Sequence, residues 1–219
     1  MAGRPTQLRH ALASRARGFA VATGLRPYRP VDAGTAAEWS GEYAAGDLAY
    51  LAGIRELSRY SVLAGYVRHL GGAPSVLDVG CGEGLLAERL GPGDYECYVG
   101  VDCAATAIDR ARRLESDRVA FQVGDAATLD LGRFGIVVCN EVLSCTVEPA
   151  RLLDRIRDEL LEPGGHLLTS IWRHPGVSRL DAMVVERFTL VDAVDLRNVT
   201  ERRGTAWRVA CHRPRAAPP

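Results

Sequence analysis

The chain has 219 residues, 47% of them apolar and 25% charged, which fits one globular domain with room for an appendage and excludes wholesale disorder. No apolar run approaches the roughly 20 residues a bilayer span needs and no signal-peptide core is visible, so a cytoplasmic protein without membrane contact is expected. All 27 basic side chains of the Lys+Arg count are arginine, and 27 acids balance them. Six of those arginines (Arg4, Arg9, Arg15, Arg17, Arg26 and Arg29) fall in residues 1–30, which hold no acid, so the body is mildly acidic and suits a cationic ligand better than a polyanion.

Residues 1–35 read as a basic arm or helix, with Leu8, Leu12 and Phe19 near one helical face. Residues 36–70 read as helices, because Trp39, Tyr43, Leu48, Leu51, Ile54, Leu57, Val62, Tyr66 and Leu70 recur at three- to four-residue steps up to Gly71-Gly72. From there strands and helices alternate: strands at 75–80, 97–102, 119–123, 134–140 and 166–171, and helices at 85–90, 104–114 and 149–161. The strands are apolar on both faces, the mark of a parallel sheet covered on both sides. The segments 188–196 and 206–211 are joined through 200–204, too short for a crossover helix, and so form an antiparallel hairpin. Residues 213–219 read as a fraying, disordered tail. Six cysteines (Cys81, Cys97, Cys103, Cys139, Cys145 and Cys211) show no metal-ligand spacing and read as reduced thiols, so no metal is expected.

The chemistry is concentrated in Asp78-Val79-Gly80-Cys81-Gly82-Glu83-Gly84, an apolar strand that breaks into alternating glycines and opens an expected helix. Glycines are needed where a backbone turns sharply and a ligand lies against main-chain atoms. A dinucleotide fingerprint wants glycine at position 85, which is Leu85, and a phosphate loop wants lysine, which the chain lacks. A carboxylate at Asp78 repels phosphate but suits an ammonium or sulfonium. One βα unit later the next strand ends in Asp102, placed to accept two hydrogen bonds from a ribose diol. One further unit ends in Gly124-Asp125-Ala126.

At these residues the chain resembles the class I S-adenosylmethionine-dependent methyltransferases, over about residues 36–212. The resemblance implies a Rossmann-like, doubly wound α/β sheet of seven strands in the order 3-2-1-4-5-7-6, one strand antiparallel, with residues 36–70 as an N-terminal helical lid on a core at 71–212. It implies S-adenosylmethionine as cofactor and S-adenosylhomocysteine as its product. Asp78, Gly80, Cys81, Gly82 and Gly84 would surround the methionine half, with Tyr43 of the lid above them. Asp102 would hold the ribose, Cys103 lie against adenine, Asp125 accept from the adenine amine, the Ala126 N–H meet the ring, and the Asn140 carbonyl meet the cofactor ammonium.

What is missing narrows the acceptor. Asn140-Glu141-Val142-Leu143 is not the Asn-Pro-Pro-Tyr of base or amide nitrogen methylation, no Pro-Cys dipeptide supplies a cytosine nucleophile, and no catechol-type magnesium set is recognisable. About fifteen residues separate the fifth and sixth strands, too few for a substrate domain. The expectation is methyl transfer to a hydroxyl or amine of a small molecule, in bacterial secondary metabolism. His174 is favoured over Glu141 as general base, because imidazole accepts a proton near pH 7 without a second negative charge beside the sulfonium. The competing expectations are a non-catalytic cofactor-binding module whose arm at 1–30 recruits a partner, and an RNA methyltransferase.

Overall fold

In the computed structural model, which describes residues 34–173, 177–199 and 206–215, two helices precede the sheet: α1 (Ala36–Ala45) and α2 (Leu57–Leu70), with a 3-10 turn at Ala49–Ala52 between them. Thr35 starts α1. Its hydroxyl accepts the Glu38 N–H while the Glu38 carboxylate takes the Thr35 N–H, a reciprocal cap worth about 1 kcal/mol. Gly46, at φ 77°, closes the helix in the left-handed conformation. The basic arm expected at 1–35 lies outside the described residues up to position 33.

The strands are β1 (Val76–Val79), β2 (Tyr98–Asp102), β3 (Val119–Val123), β4 (Phe134–Asn140), β5 (Leu161–Trp172), β6 (Phe188–Arg197) and β7 (Ala206–Pro214). They form one sheet in the order β3-β2-β1-β4-β5-β7-β6, as expected, with β1 to β5 parallel and β7 antiparallel to both β5 and β6. Helices α3 (Ala105–Ala111), α4 (Pro149–Arg155) and α5 (Val177–Arg187) complete the two outer layers. Because successive strand side chains alternate faces, the core divides in two. Val76, Tyr98, Ile136, Val138 and Leu168 pack with α2 and α3, and Leu77, Val79, Val137, Cys139 and Leu167 pack with α4 and α5. Asp78, between Leu77 and Val79, therefore points to the α2 side.

Several elements differ from expectation. The helix expected at 85–90 is a run of turns ending in a 3-10 segment at Ala87–Arg89. Leu85, Leu86, Ala87 and Leu90 are all buried, so packing rather than amphipathic periodicity sets this segment, and Gly91-Pro92 stops it after one turn. The helix expected at 149–161 changes from α to π winding at Ile156–Leu160, and β5 begins at once at Leu161, five residues early. α5 occupies most of the supposed loop between the fifth and sixth strands and buries Val177, Leu180 and Val184. At the other end β7 runs past Cys211 to Pro214, because Pro214 still pairs with Phe188, so the tail expected to fray from 213 is strand there.

Candidate active site

The carboxyl ends of β1, β2, β3 and β4 meet at one edge of the sheet, where open α/β sheets hold ligands. After β1 the chain turns at Gly80, φ 69°, where an added Cβ would lie 2.6 Å from a Val142 methyl. Gly82 is at φ 54°, and its Cβ would lie 2.5 Å from the Tyr43 hydroxyl. The Gly80 and Cys81 N–H groups both donate to the Val101 carbonyl, at 2.8 and 3.1 Å, which ties the loop to β2. The Asp102 carboxylate is then held between two backbone donors, Gly82 N–H on Oδ2 and Ala104 N–H on Oδ1, each at 2.9 Å. Burial pushes this carboxyl up and the two donors oppose the shift. An ionised carboxylate has about four acceptor sites, so two remain for a ligand.

Beneath the loop Asp78 is buried. One oxygen accepts the Tyr98 hydroxyl, and the other, Oδ1, has no protein partner. Burial raises its carboxyl to about 7. Facing it from α2 is Arg59, only 2% exposed, a residue the sequence reading missed. Its Nε donates to Glu56 at 2.9 Å, one terminal nitrogen to the Asn140 side-chain oxygen and the other to the Tyr60 hydroxyl at 3.4 Å. Its guanidinium lies 4.4 Å from the centre of the Tyr60 ring. These contacts engage three of the five N–H donors that a guanidinium carries. The signal for it was present: Arg59 sits one and two turns before Leu63 and Val67, on the apolar stripe of α2.

At the end of β4, Glu141 adopts φ 64°, a left-handed conformation that costs a non-glycine residue about 1–3 kcal/mol. Its carboxylate bridges two strands' ends, accepting the Ser170 hydroxyl at 2.8 Å and the Trp172 N–H at 3.1 Å. Burial lifts it to about 7 against the pull of Arg59. Half-exposed Tyr50, whose phenol burial and Glu56 push up to about 12, lies within electrostatic reach of Glu141 and Cys145.

The other expected residues fall in different places. Tyr43 is buried against Ala104 and Ala107 with its hydroxyl over the glycine loop. Cys103 follows Asp102 at the edge, half-buried, its thiol raised to about 11 by burial and by Asp102. Asp125 is exposed, Ala126 is buried, and both stand at the end of β3. Asn140 is at the edge, with its side chain committed to Arg59. The Cys81 thiol packs into the core against Gly100, and a Cβ added at Gly84 would meet Leu114 and Phe121. The segment directly after the loop is turns and the 3-10 stretch Ala87–Arg89 rather than the α-helix expected there. His174 lies outside the described residues.

A family described as methyltransferase domain matches residues 72–209, well over half of the chain. The chain belongs to that family. Its sheet order is that of the class I, S-adenosylmethionine-dependent methyltransferases. This methyltransferase domain is 30% identical over 131 residues to the ubiquinone biosynthesis O-methyltransferase of Acinetobacter baylyi, which is 56% of this chain and 54% of that one. The chain spans about half the length of the curated relatives it matches. Among solved structures it resembles the N-methyltransferase NodS of Bradyrhizobium japonicum, in complex with S-adenosylhomocysteine, with TM-score 0.66 at 21% identity over 74% of this chain and 89% of that one. It resembles equally the 1,6-didemethyltoxoflavin-N1-methyltransferase of Burkholderia thailandensis, TM-score 0.66 at 21% identity over 83% and 87%. At that identity these are likenesses of fold. No helix among the described residues is long and apolar enough to cross a membrane.

Proposed function

We infer that this methyltransferase domain transfers a methyl group from S-adenosylmethionine to a hydroxyl or amine of a small molecule. The observation that carries the reading is the pair of carboxylates flanking a loop whose glycines leave no room for a side chain: Asp102, held by two backbone donors, and Asp78, with one buried oxygen lacking a protein partner. A buried polar atom without a partner costs about 1–3 kcal/mol, so a cationic ligand group at Asp78 offsets a standing penalty. Arg59 supplies the opposite charge nearby, with donors left for a carboxylate. Ammonium at Asp78, carboxylate at Arg59 and ribose diol at Asp102 together describe the amino-acid nucleoside, with Asp125 and the Ala126 N–H at the adenine end.

When bound, the sulfonium supplies an activated methyl group. The protein's part is alignment, which contributes up to about 7–11 kcal/mol when reacting atoms are held in line. Tyr43 closes over the glycine loop and excludes water there. For a hydroxyl acceptor Glu141 is the base: its carboxyl, near 7, holds and releases a proton at neutral pH, and Ser170 and Trp172 fix its direction. These contacts support Glu141 as the base; His174, the other candidate, lies outside the described residues. The mildly acidic body and the NodS complex support a small acceptor and this cofactor. Methyl-labelled S-adenosylmethionine, incubated with the protein, total RNA and a panel of small phenols, alcohols and amines, tests the reading. Label in a small molecule is expected, and label in RNA alone contradicts it.

A further inference from the structure

Between β3 and β4 the chain makes a closed turn. The Asp125 carboxylate accepts the Ala127 N–H at 2.8 Å, and the Asp125 carbonyl accepts the Thr128 and Leu129 N–H groups at 2.9 and 3.0 Å. Leu129 folds back so closely on Gly124 that a Cβ there would be 2.6 Å from it. This turn sets where the Asp125 carboxylate and the Ala126 N–H stand. Its outward carbonyls are gripped from a distant element: Arg155, at the end of α4, donates from one terminal nitrogen to the Ala126 carbonyl at 2.8 Å and from the other to the Leu129 carbonyl. The Arg155 side chain is 14% exposed, and Glu159 holds its Nε at 3.1 Å. The helix changes to π winding immediately after Arg155, and such turns inside helices occur frequently at functional positions. Below the turn lies an open hollow of about 490 Å³, with Ala127 and Thr128 on one wall and Arg151, Asp154, Arg155 and Asp158 on the other. On that side Arg155 crosses a gap that packing does not fill.

We propose that Arg155 is a positioning residue for adenine recognition: its forked grip on the Ala126 and Leu129 carbonyls fixes the turn that presents Asp125 and Ala126 to the cofactor's base. The proposal rests on the cofactor reading above. Two charge-assisted bonds from one rigid fork to carbonyls three residues apart lock a turn in a way that a single point donor does not. A base held by its exocyclic amine and a ring nitrogen needs both partners at fixed separation, so loosening the turn weakens discrimination at that amine.

The test is calorimetric titration of the full chain with two probes, S-adenosylhomocysteine and S-inosylhomocysteine, in which the exocyclic amine is replaced by a carbonyl oxygen. Wild type is expected to prefer the first. Arg155→Gln should raise its Kd about tenfold and compress the preference to a few-fold, with Arg155→Lys between the two. The stoichiometry per folded chain should stay at one. A purely structural role predicts instead a lower melting temperature and a smaller binding fraction, with the Kd and the preference of the remaining molecules unchanged in both variants; that result overturns the proposal. Asp125→Asn separates the failures. If it abolishes the preference while Arg155→Gln and Arg155→Lys leave it intact, the positioning role alone is wrong. If Asp125→Asn has no effect, or wild type binds neither probe, the adenine assignment falls and the proposal with it.

Discussion

Replacing Glu141 by glutamine should stabilise the protein at pH 8 while removing turnover on a hydroxyl acceptor. The native carboxyl is raised from 4.5 to about 7, by burial above all. A raised carboxyl means the native state binds its proton more tightly than the unfolded chain, so the stability it allows is complete below pH 4.5 and is lost as pH climbs through 7. At about 1.4 kcal/mol per pKa unit, the charge costs on the order of 3 kcal/mol above pH 7. Glutamine removes that cost but gives up one of the two accepted hydrogen bonds, from Ser170 or Trp172, worth about 1 kcal/mol. The net gain is about 2 kcal/mol, or roughly 4–8 °C in Tm for a domain of this size. Thermal unfolding at pH 5 and pH 8 measures it: the advantage of Glu141→Gln should be present at pH 8 and mostly gone at pH 5. The left-handed backbone at Glu141 and its buried charge are both standing costs to stability. A variant no more stable at pH 8, or equally stabilised at both pH values, refutes the argument.

Three further outcomes follow from the same site and core. His212, 5% exposed with Nδ1 unpartnered, is lowered by burial from 6.5 to about 4, so its protonation favours the unfolded chain. Stability should therefore fall by up to about 3 kcal/mol as pH drops from 6.5 to 4, and urea midpoints of His212→Gln should fall less over that window. Asp102→Ala should weaken S-adenosylhomocysteine by about 2–3 kcal/mol, roughly 30- to 150-fold in Kd by calorimetry, because charged hydrogen bonds are lost. Gly82→Ala should destabilise by at least about 1–2 kcal/mol for the left-handed backbone alone, plus the collision with the Tyr43 hydroxyl. Tyr43→Phe in the same chain should restore the collision part only, and no recovery would show that the Tyr43 hydroxyl does not lie over the loop.

The glycine loop and the acids at 78, 102 and 125 were readable because each breaks an apolar pattern at a strand end. The strand order came from family resemblance, and the terminal hairpin from a connection too short for a helix. Arg59 escaped because one arginine among 27 carries no mark of burial, although its place on the stripe with Leu63 and Val67 does. α5 was legible but overlooked: its buried positions, Val177, Leu180 and Val184, stand at i, i+3 and i+7, the spacing of one helical face. Leu85-Leu86-Ala87 reads equally as helix or buried turn, since apolarity on every side has no period to read. The left-handed turn at Glu141 and the reach of Arg155 depend on what the chain meets after folding.

The most direct measurement of the central claim is titration of the wild-type protein with S-adenosylhomocysteine, paired with the same titration of Arg59→Met, Asp78→Asn and Asp102→Ala. The account predicts one site per chain in wild type and weaker binding in all three variants. A folded wild-type protein that gives no heat at millimolar ligand, or binding that none of the three changes, would contradict it.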